Sequence, residues 1–326
     1  MKIYKKPIII VSKCLTGVSC RYNGEPCKSK FLTKLTPYVQ LIEVCPETDI
    51  GLKTPRNPIR LVQENESIRL IDPKDLVDYT ERMLQFTQNS YTELKKINPQ
   101  GFIFKTKSPS CGITDANIYS SPEKTAQKVK RSAGLYSDFM KKNFPLTPIE
   151  DEGRLNNFGI RDNFLTKIFI LSNFEYVKSE FTLSALLDFH TENKLLFMGY
   201  NQTITRTLGQ LIASHKKESL ENIFKSYEVN LLKLISKPIK YTSMINVFTH
   251  AYSYFSKFLR ADEKNFFFFL IDNYRDGKCP QCVLINLLKG YSYRFNNTYL
   301  LNQTLLSPYP EELLDFSDSG KGIIRD

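Results

Sequence analysis

Cys14, Cys45 and Cys111 each follow a short apolar run and lead into a loop rich in Pro, Gly or Ser. The segments read PIIIVSKC, QLIEVCPE and GFIFKTKSPSCG, a pattern that sets one thiol at the carboxyl end of each of three buried strands. In an open parallel α/β sheet such ends converge on one crevice, the usual ligand position. Three thiolates gathered there would hold a metal or a cluster and leave a coordination position open, which is a catalytic rather than a structural arrangement. A lone cysteine is more often a small core hydrophobe, but three in the same context argue against that reading. Lys105 and Lys107, together with backbone amides at Cys45-Pro46 and Ser110-Cys111-Gly112, are expected to lower the thiol pKa.

The elements that must position these residues alternate in the first half of the chain. Strands are expected at 7–12, 40–45, 67–71 and 101–105, and helices at 75–96 and 122–143, with Asp72-Pro73 and Ser121-Pro122 as start signals. Such alternation implies a mostly parallel sheet with right-handed crossovers. From Asp151 onward only helical periods are found, near 156–173, 183–200, 203–215, 220–235, 242–260, 263–274 and 280–288. Residues 144–153, with two prolines and a glycine, suit a final edge strand running into a linker. The expected architecture is an α/β domain over residues 1–150 followed by an all-α domain over 151–326.

The chain has 326 residues, 41% hydrophobic and 24% charged, enough for two full cores. Its start, MKIYKKPIIIVSKC, imitates a secretory signal, but the apolar run is short and Lys13 interrupts it. No segment has the length of a membrane span. Seven widely spaced cysteines, an odd number, speak for reduced thiols and a cytoplasmic protein rather than a disulfide framework. The net charge of +11 is lopsided, with 24 basic and 15 acidic residues before Asp151 and 21 and 19 after it. A basic rim around a reactive crevice suits a polyanionic substrate such as nucleic acid; a solvated lysine-rich face is the simpler alternative.

The motifs SKCLTGVSCRYNG (12–24), EVCPE (43–47), GLKTPRNPIR (51–60) and KSPSCG (107–112) together resemble the thiouracil desulfidase family over residues 7 to about 150. Downstream, EDEGRLNN, IRDNFLTKIF, LLDFHTENKLLFM and INVFTHAYSYF are similar to the helical domain fused to it in tRNA 4-thiouridine desulfidases. The resemblance implies a four-iron four-sulfur (4Fe-4S) cluster on Cys14, Cys45 and Cys111, with one iron free of protein ligands to capture the sulfur of a thiolated pyrimidine. It implies catalytic roles for Glu47 and Ser108. The chemistry agrees: exchanging C=S for C=O needs a soft Lewis acid for sulfur, a base for water and a group to orient it. Without the resemblance, Glu47 reads equally as an acidic residue at a helix start and Ser108 as a turn residue before Pro109.

The expected partner is therefore tRNA, with no membrane and no obligate protein partner. Arg56 and Arg60 suit phosphate or ribose contact, as do Lys105 and Lys107. In the helical half, His190 and Lys194 share a helix face, as do His250 and Tyr254, and Arg206 lies close behind the first pair. These form either a basic-aromatic grip on RNA backbone or a buried polar network between helices. Cys20 is a candidate neighbour of the cluster or a spare ligand, Cys27 is incidental, and Cys279-Pro-Gln-Cys282, which lacks the second ligand pair of a zinc ribbon, reads as incidental cysteines at a helix start, with a redox or metal role as the alternative. Two alternatives to a tRNA desulfidase are an enzyme for free thiouracil and a non-enzymatic, cluster-bearing nucleic-acid sensor. A sensor would not require Glu47 with Ser108.

Overall fold

The computed structural model describes residues 4–123 and 125–314. The strands are β1 (Ile8–Ser12), β2 (Gln40–Val44), β3 (Arg60–Glu64), β4 (Ser67–Ile71), β5 (Gly101–Phe104), β6 (Ala116–Tyr119), β7 (Lys128–Ser132) and β8 (Ile149–Asp151). Among them lie α1 (Lys30–Leu35), α2 (Pro46–Asp49), α3 (Thr80–Ile97) and α4 (Leu135–Asn143). A first sheet has the order β2-β1-β5-β8 and is parallel throughout. Its two middle strands, IIIVS and GFIF, are nearly continuous apolar runs, as expected where both faces of a parallel sheet are covered.

A second sheet, β4-β3-β6-β7, combines one parallel pair, β3 with β6, with two antiparallel hairpins. Leu61, Leu70 and Ile118 of this sheet share a core with Ile10, Phe102 and Phe104 of the first and with Met83, Tyr136 and Met140 of α3 and α4. Two sequence expectations are corrected here. The helix expected over 122–143 is β7 followed by α4, because the alternating KVKRS segment pairs with β6 and Gly134 separates it from the helix. The helix expected from residue 75 starts at Thr80, because Asp72 binds the amides of Lys74 and Asp75 and Leu76 takes a left-handed backbone, φ 54°.

From Phe158 the chain is helical: α5 (Phe158–Glu180), α6 (Leu183–Tyr200), α7 (Gln202–Ala213), α8 (Leu220–Ile235), α9 (Tyr241–Ser253), α10 (Ala261–Arg275), α11 (Gln281–Arg294) and α12 (Thr298–Leu301). Thr182, Asn201 and Ser219 start α6, α7 and α8 by accepting hydrogen bonds from Ala185, Ile204 and Asn222 amides. Leu186, Leu195, Phe197, Tyr227, Leu231 and Phe248 lie in the core of this half. The chain divides into two compact units, Lys6–Phe164 and Leu165–Glu312, so the division falls within α5. Among the described residues no helix is long and apolar enough to cross a membrane.

Candidate active site

β1 pairs with β2 on one side and β5 on the other, so three adjacent parallel strands end on the same edge. Cys14 lies in the 3-10 turn Lys13–Thr16 that follows β1. Cys45 is the residue between β2 and α2, and Cys111 lies in the loop after β5. The Ser12 hydroxyl, at the tip of β1, accepts a hydrogen bond from the Lys105 amide at 3.0 Å and also bonds the Cys111 thiol, tying two of these ends together. The thiols sense one another. Burial pushes Cys14 up to about 12, reinforced by the charges of Cys20, Cys45 and Cys27. Burial pushes Cys111 well up, with Glu47, Cys14 and Cys45 adding to it. Cys20 rises to about 12 through burial and then its neighbour Cys45.

These shifts reverse the expectation that Lys105 and Lys107 would favour thiolate. The Lys105 ammonium is occupied by Glu152 and by the Thr106 hydroxyl, and its charge is the weakest of the influences on Cys14. Lys107 is exposed, with φ 60°, and its amide donates to Asp115. A set of crowded, buried thiols is poorly solvated as separate anions, and cationic metal would relieve that. Among the described residues no three His, Cys, Asp or Glu side chains are close enough to share a single metal ion. In an iron-sulfur cubane each thiolate ligates a different iron, so the ligands stand farther apart than around one ion. The soft donor set of Cys14, Cys45 and Cys111, near enough that the charge of Cys45 is felt by Cys14 and those of both by Cys111, suits such a cluster.

Beside the thiols, Glu47 sits in the first turn of α2, its side chain 14% exposed. Arg56 donates to Glu47 Oε2 from Nε at 3.1 Å and from Nη2 at 2.5 Å, and from Nη1 to the Cys20 carbonyl at 3.0 Å. Glu47 Oε1 faces the Cys111 loop. The Ser110 hydroxyl donates to it at 3.1 Å and the Ser108 hydroxyl at 3.5 Å. Ser108 Oγ meanwhile accepts from the amides of Ser110 and Cys111 at 3.2 and 3.1 Å, so it shapes the turn as well as facing the carboxylate. Ser110, fully buried, was not singled out by sequence; its only signal is its place between Pro109 and Cys111.

The loop is held from behind by α4. The amides of Leu135 and Tyr136 donate to the carbonyls of Pro109 and Ser110, each at 3.1 Å, and the Ser137 amide joins on Ser110. Gly134, before α4, makes this approach possible: a Cβ there would lie 2.5 Å from the Ser110 carbonyl carbon and 2.7 Å from the Pro109 oxygen.

The remaining candidates are dispersed. Arg60 starts β3, donates to the Glu123 carbonyl at 2.8 Å and lies over the Tyr119 ring at 4.5 Å, with no bond to Glu47. His190 belongs to the helical unit and is buried there, its Nδ1 3.1 Å from the Tyr227 hydroxyl. Burial, aided by Lys194, pushes it down to about 4, so it is neutral near pH 7 and joins the helical core instead of a phosphate grip. Lys194, Arg206 and His250 are exposed on that unit, and His250 packs edge-on against Tyr254. Cys27 donates its amide to the Cys14 carbonyl, and Cys279 is half-buried at the start of α11.

Comparison with known proteins adds the following. Residues 9–152 match the family model described as 2-thiouracil desulfurase, and residues 194–310 match a family of unknown function, DUF1722. The uncharacterized protein YbbK of Bacillus subtilis (strain 168) is 34% identical over 110 residues, which are 32% of this chain and 73% of YbbK. The uncharacterized protein YbgA of Escherichia coli (strain K12) is 29% identical over 151 residues, 46% of this chain and 89% of YbgA. The solved structure of the [4Fe-4S]-dependent thiouracil desulfidase TudS (DUF523Vcz) shares 25% identity and covers 46% of this chain and 93% of its own, with a TM-score of 0.38.

Proposed function

We propose that this chain, which belongs to the 2-thiouracil desulfurase family, is a desulfidase that replaces sulfur by oxygen on a thiolated pyrimidine, and that its substrate is 4-thiouridine in tRNA. The observation that carries the desulfidase reading is the meeting of three strand-end thiols with a carboxylate held between Arg56 and two serine hydroxyls. Cys14, Cys45 and Cys111 would hold the four-iron four-sulfur cluster, which when bound supplies an open iron as a soft Lewis acid for the substrate's sulfur.

The chain's own residues account for the proton movements. The reaction takes up one water; a C–O bond forms at the ring carbon, the C–S bond breaks, and both water protons leave as hydrogen sulfide, with no net redox change. Glu47 Oε1 is the acceptor for the first proton of the water, because Oε2 is committed to the Arg56 guanidinium. Ser108, fixed by two backbone amides, orients the water or the pyrimidine oxygen toward that carboxylate. The tRNA reading is supported by the excess of basic residues in the first 150 positions. Desulfuration of free thiouracil is a second reading, favoured by the confinement of the cysteines, Glu47, Arg56 and Ser108 to the unit that the family model covers.

The deciding experiment is anaerobic. The protein is reconstituted with iron and sulfide and incubated with bulk bacterial tRNA or with free 4-thiouracil, and the thiolated and oxygenated products are quantified by mass spectrometry, with Cys45→Ala in parallel. Conversion of tRNA 4-thiouridine by the intact protein alone supports the proposal. Conversion of the free base only moves the assignment to the second reading, and conversion of neither, with cluster present, rejects a desulfidase.

A further inference from the structure

We propose that the outer face of the second sheet is a docking surface for the phosphate backbone of an RNA strand, which it leads to the cysteine site. This rests on the desulfidase reading and identifies the surface that would let the same site accept a nucleotide within a polymer. The register assigns the face. Leu61 pairs with Ile118, and both are fully buried, so their strand neighbours Arg60, Val62, Asn117 and Tyr119 point to the opposite side, where Val62 is buried and Arg60, Asn117 and Tyr119 are half-buried. Arg131 stands opposite Asn117, Lys128 opposite Tyr119, and Arg69 opposite Val62. Adjacent strands are about 4.8 Å apart, so four cations share one small surface with the Tyr119 ring among them.

Their charges are unequally compensated. Arg69 is held by Asp78 and Glu64. Arg60 binds a backbone carbonyl and the Tyr119 ring, with no carboxylate partner among the described residues. Lys128 and Arg131 are exposed on the edge strand β7 and likewise have no carboxylate partner among the described residues, as is also true of Lys130 between them. An edge strand carrying K-V-K-R is protected from pairing with another strand by its charge, which is the simpler use of such residues. Two further features favour RNA. Arg60 over Tyr119 offers the basic-aromatic combination that suits phosphate and base together. The only exposed large apolar side chain on β7 is Val129, too little for a lipid surface.

The strongest support is where this face leads. Arg60, Asn117 and Arg131 form the row at one margin of the sheet. Arg60 follows Arg56, the residue that grips Glu47, by only four positions. Arg131 precedes Gly134, which packs on Ser110, by three, at most about 10 Å of extended chain. Both ends of the row are therefore joined by short segments to residues that build the reactive crevice. A free base, which carries no phosphate, would have no use for it.

The test compares the reconstituted full chain with Lys128→Glu/Arg131→Glu and with the milder Lys128→Gln/Arg131→Gln, both at exposed positions. Affinity for bulk tRNA is measured from 50 to 200 mM salt, and turnover of free 4-thiouracil is measured beside it. The expected result is a loss of roughly tenfold or more in tRNA affinity for the Glu pair, a smaller loss for the Gln pair, and a log-log salt slope shallower by about one to two. Turnover of the free base is retained. Unchanged tRNA affinity and slope in both variants overturn the inference, as does a parallel fall in free-base turnover or transfer of the effect to anionic lipid vesicles. If the wild-type protein binds tRNA through this face but desulfurates neither substrate, the inference stands and the desulfidase reading falls.

Discussion

Glu47 is bound on both oxygens by groups of opposite kind, a guanidinium on Oε2 and hydroxyls on Oε1, and each contact makes a separate prediction. Glu47→Gln keeps the shape and removes the proton acceptor; turnover should fall at least about 100-fold while iron content stays unchanged, read by metal analysis and steady-state rates. Ser110→Ala removes one charge-assisted hydrogen bond of 3.1 Å from a hydroxyl to the carboxylate and should lower kcat by roughly tenfold with little change in KM. Arg56→Ala leaves a mostly buried carboxylate without its partner, since the two side chains are 8% and 14% exposed, and should cost about 3 kcal/mol of stability in a denaturant titration. At this scale the strand-end pattern singled out the three cysteines, and motif resemblance pointed to Glu47 and Ser108. It read Arg56 as a phosphate ligand and passed over Ser110. A contact between Arg56 and Glu47 depends on the loop geometry of TPRNP, and nothing in residue types or spacing reports which way that loop folds.

Elements were legible where the pattern was dense. β1, β2, β4 and β5 and the long helices α6 and α8 fall where apolar periodicity puts them. β3, β6 and β7 of the small second sheet did not announce themselves because they are short: β3 buries the adjacent Leu61 and Val62 and so lacks alternation, β6 is only four residues, and β7 is an exposed edge strand rich in charge. That sheet and α4 are what hold the Cys111 loop, and a pair of glycines tests this. Gly134→Ala drives a Cβ to within 2.5 Å of the Ser110 backbone and should cost several kcal/mol or displace the loop, seen as lower iron stoichiometry after reconstitution. Gly290→Ala, exposed in α11 with nothing within 4 Å of the added Cβ, should instead stabilise the protein by about 0.5–1 kcal/mol in a thermal melt.

For the whole molecule, composition and the change from alternating to purely helical patterning were enough to give the fold class, an α/β half followed by an α-helical half. The place of division was harder to read, since the compact units part within α5 and a helix carries no linker signature there. Global stability should respond to pH through His190. Its pKa is lowered to about 4 by burial, below the unfolded value of about 6.5, so the unfolded chain binds the extra proton between these limits. Stability from this residue is present above about pH 6.5 and is lost as pH falls toward 4. Urea titrations at pH 7 and pH 5 should show a steeper loss for the wild type than for His190→Gln; equal slopes would mean the imidazole is accessible to protons in the folded state.

The three thiols come from neighbouring parallel strands instead of one short loop, and the β1–β5 pairing that joins two of them closes a span of 92 residues. A chain emerging from the ribosome therefore carries Cys14 and Cys45 long before Cys111 can join them. The full ligand set exists only once β5 has joined the sheet, so cluster loading is expected to follow folding instead of driving it, the reverse of a zinc finger. An assembly order of this kind makes the finished sheet the gatekeeper of which inorganic cargo the protein accepts.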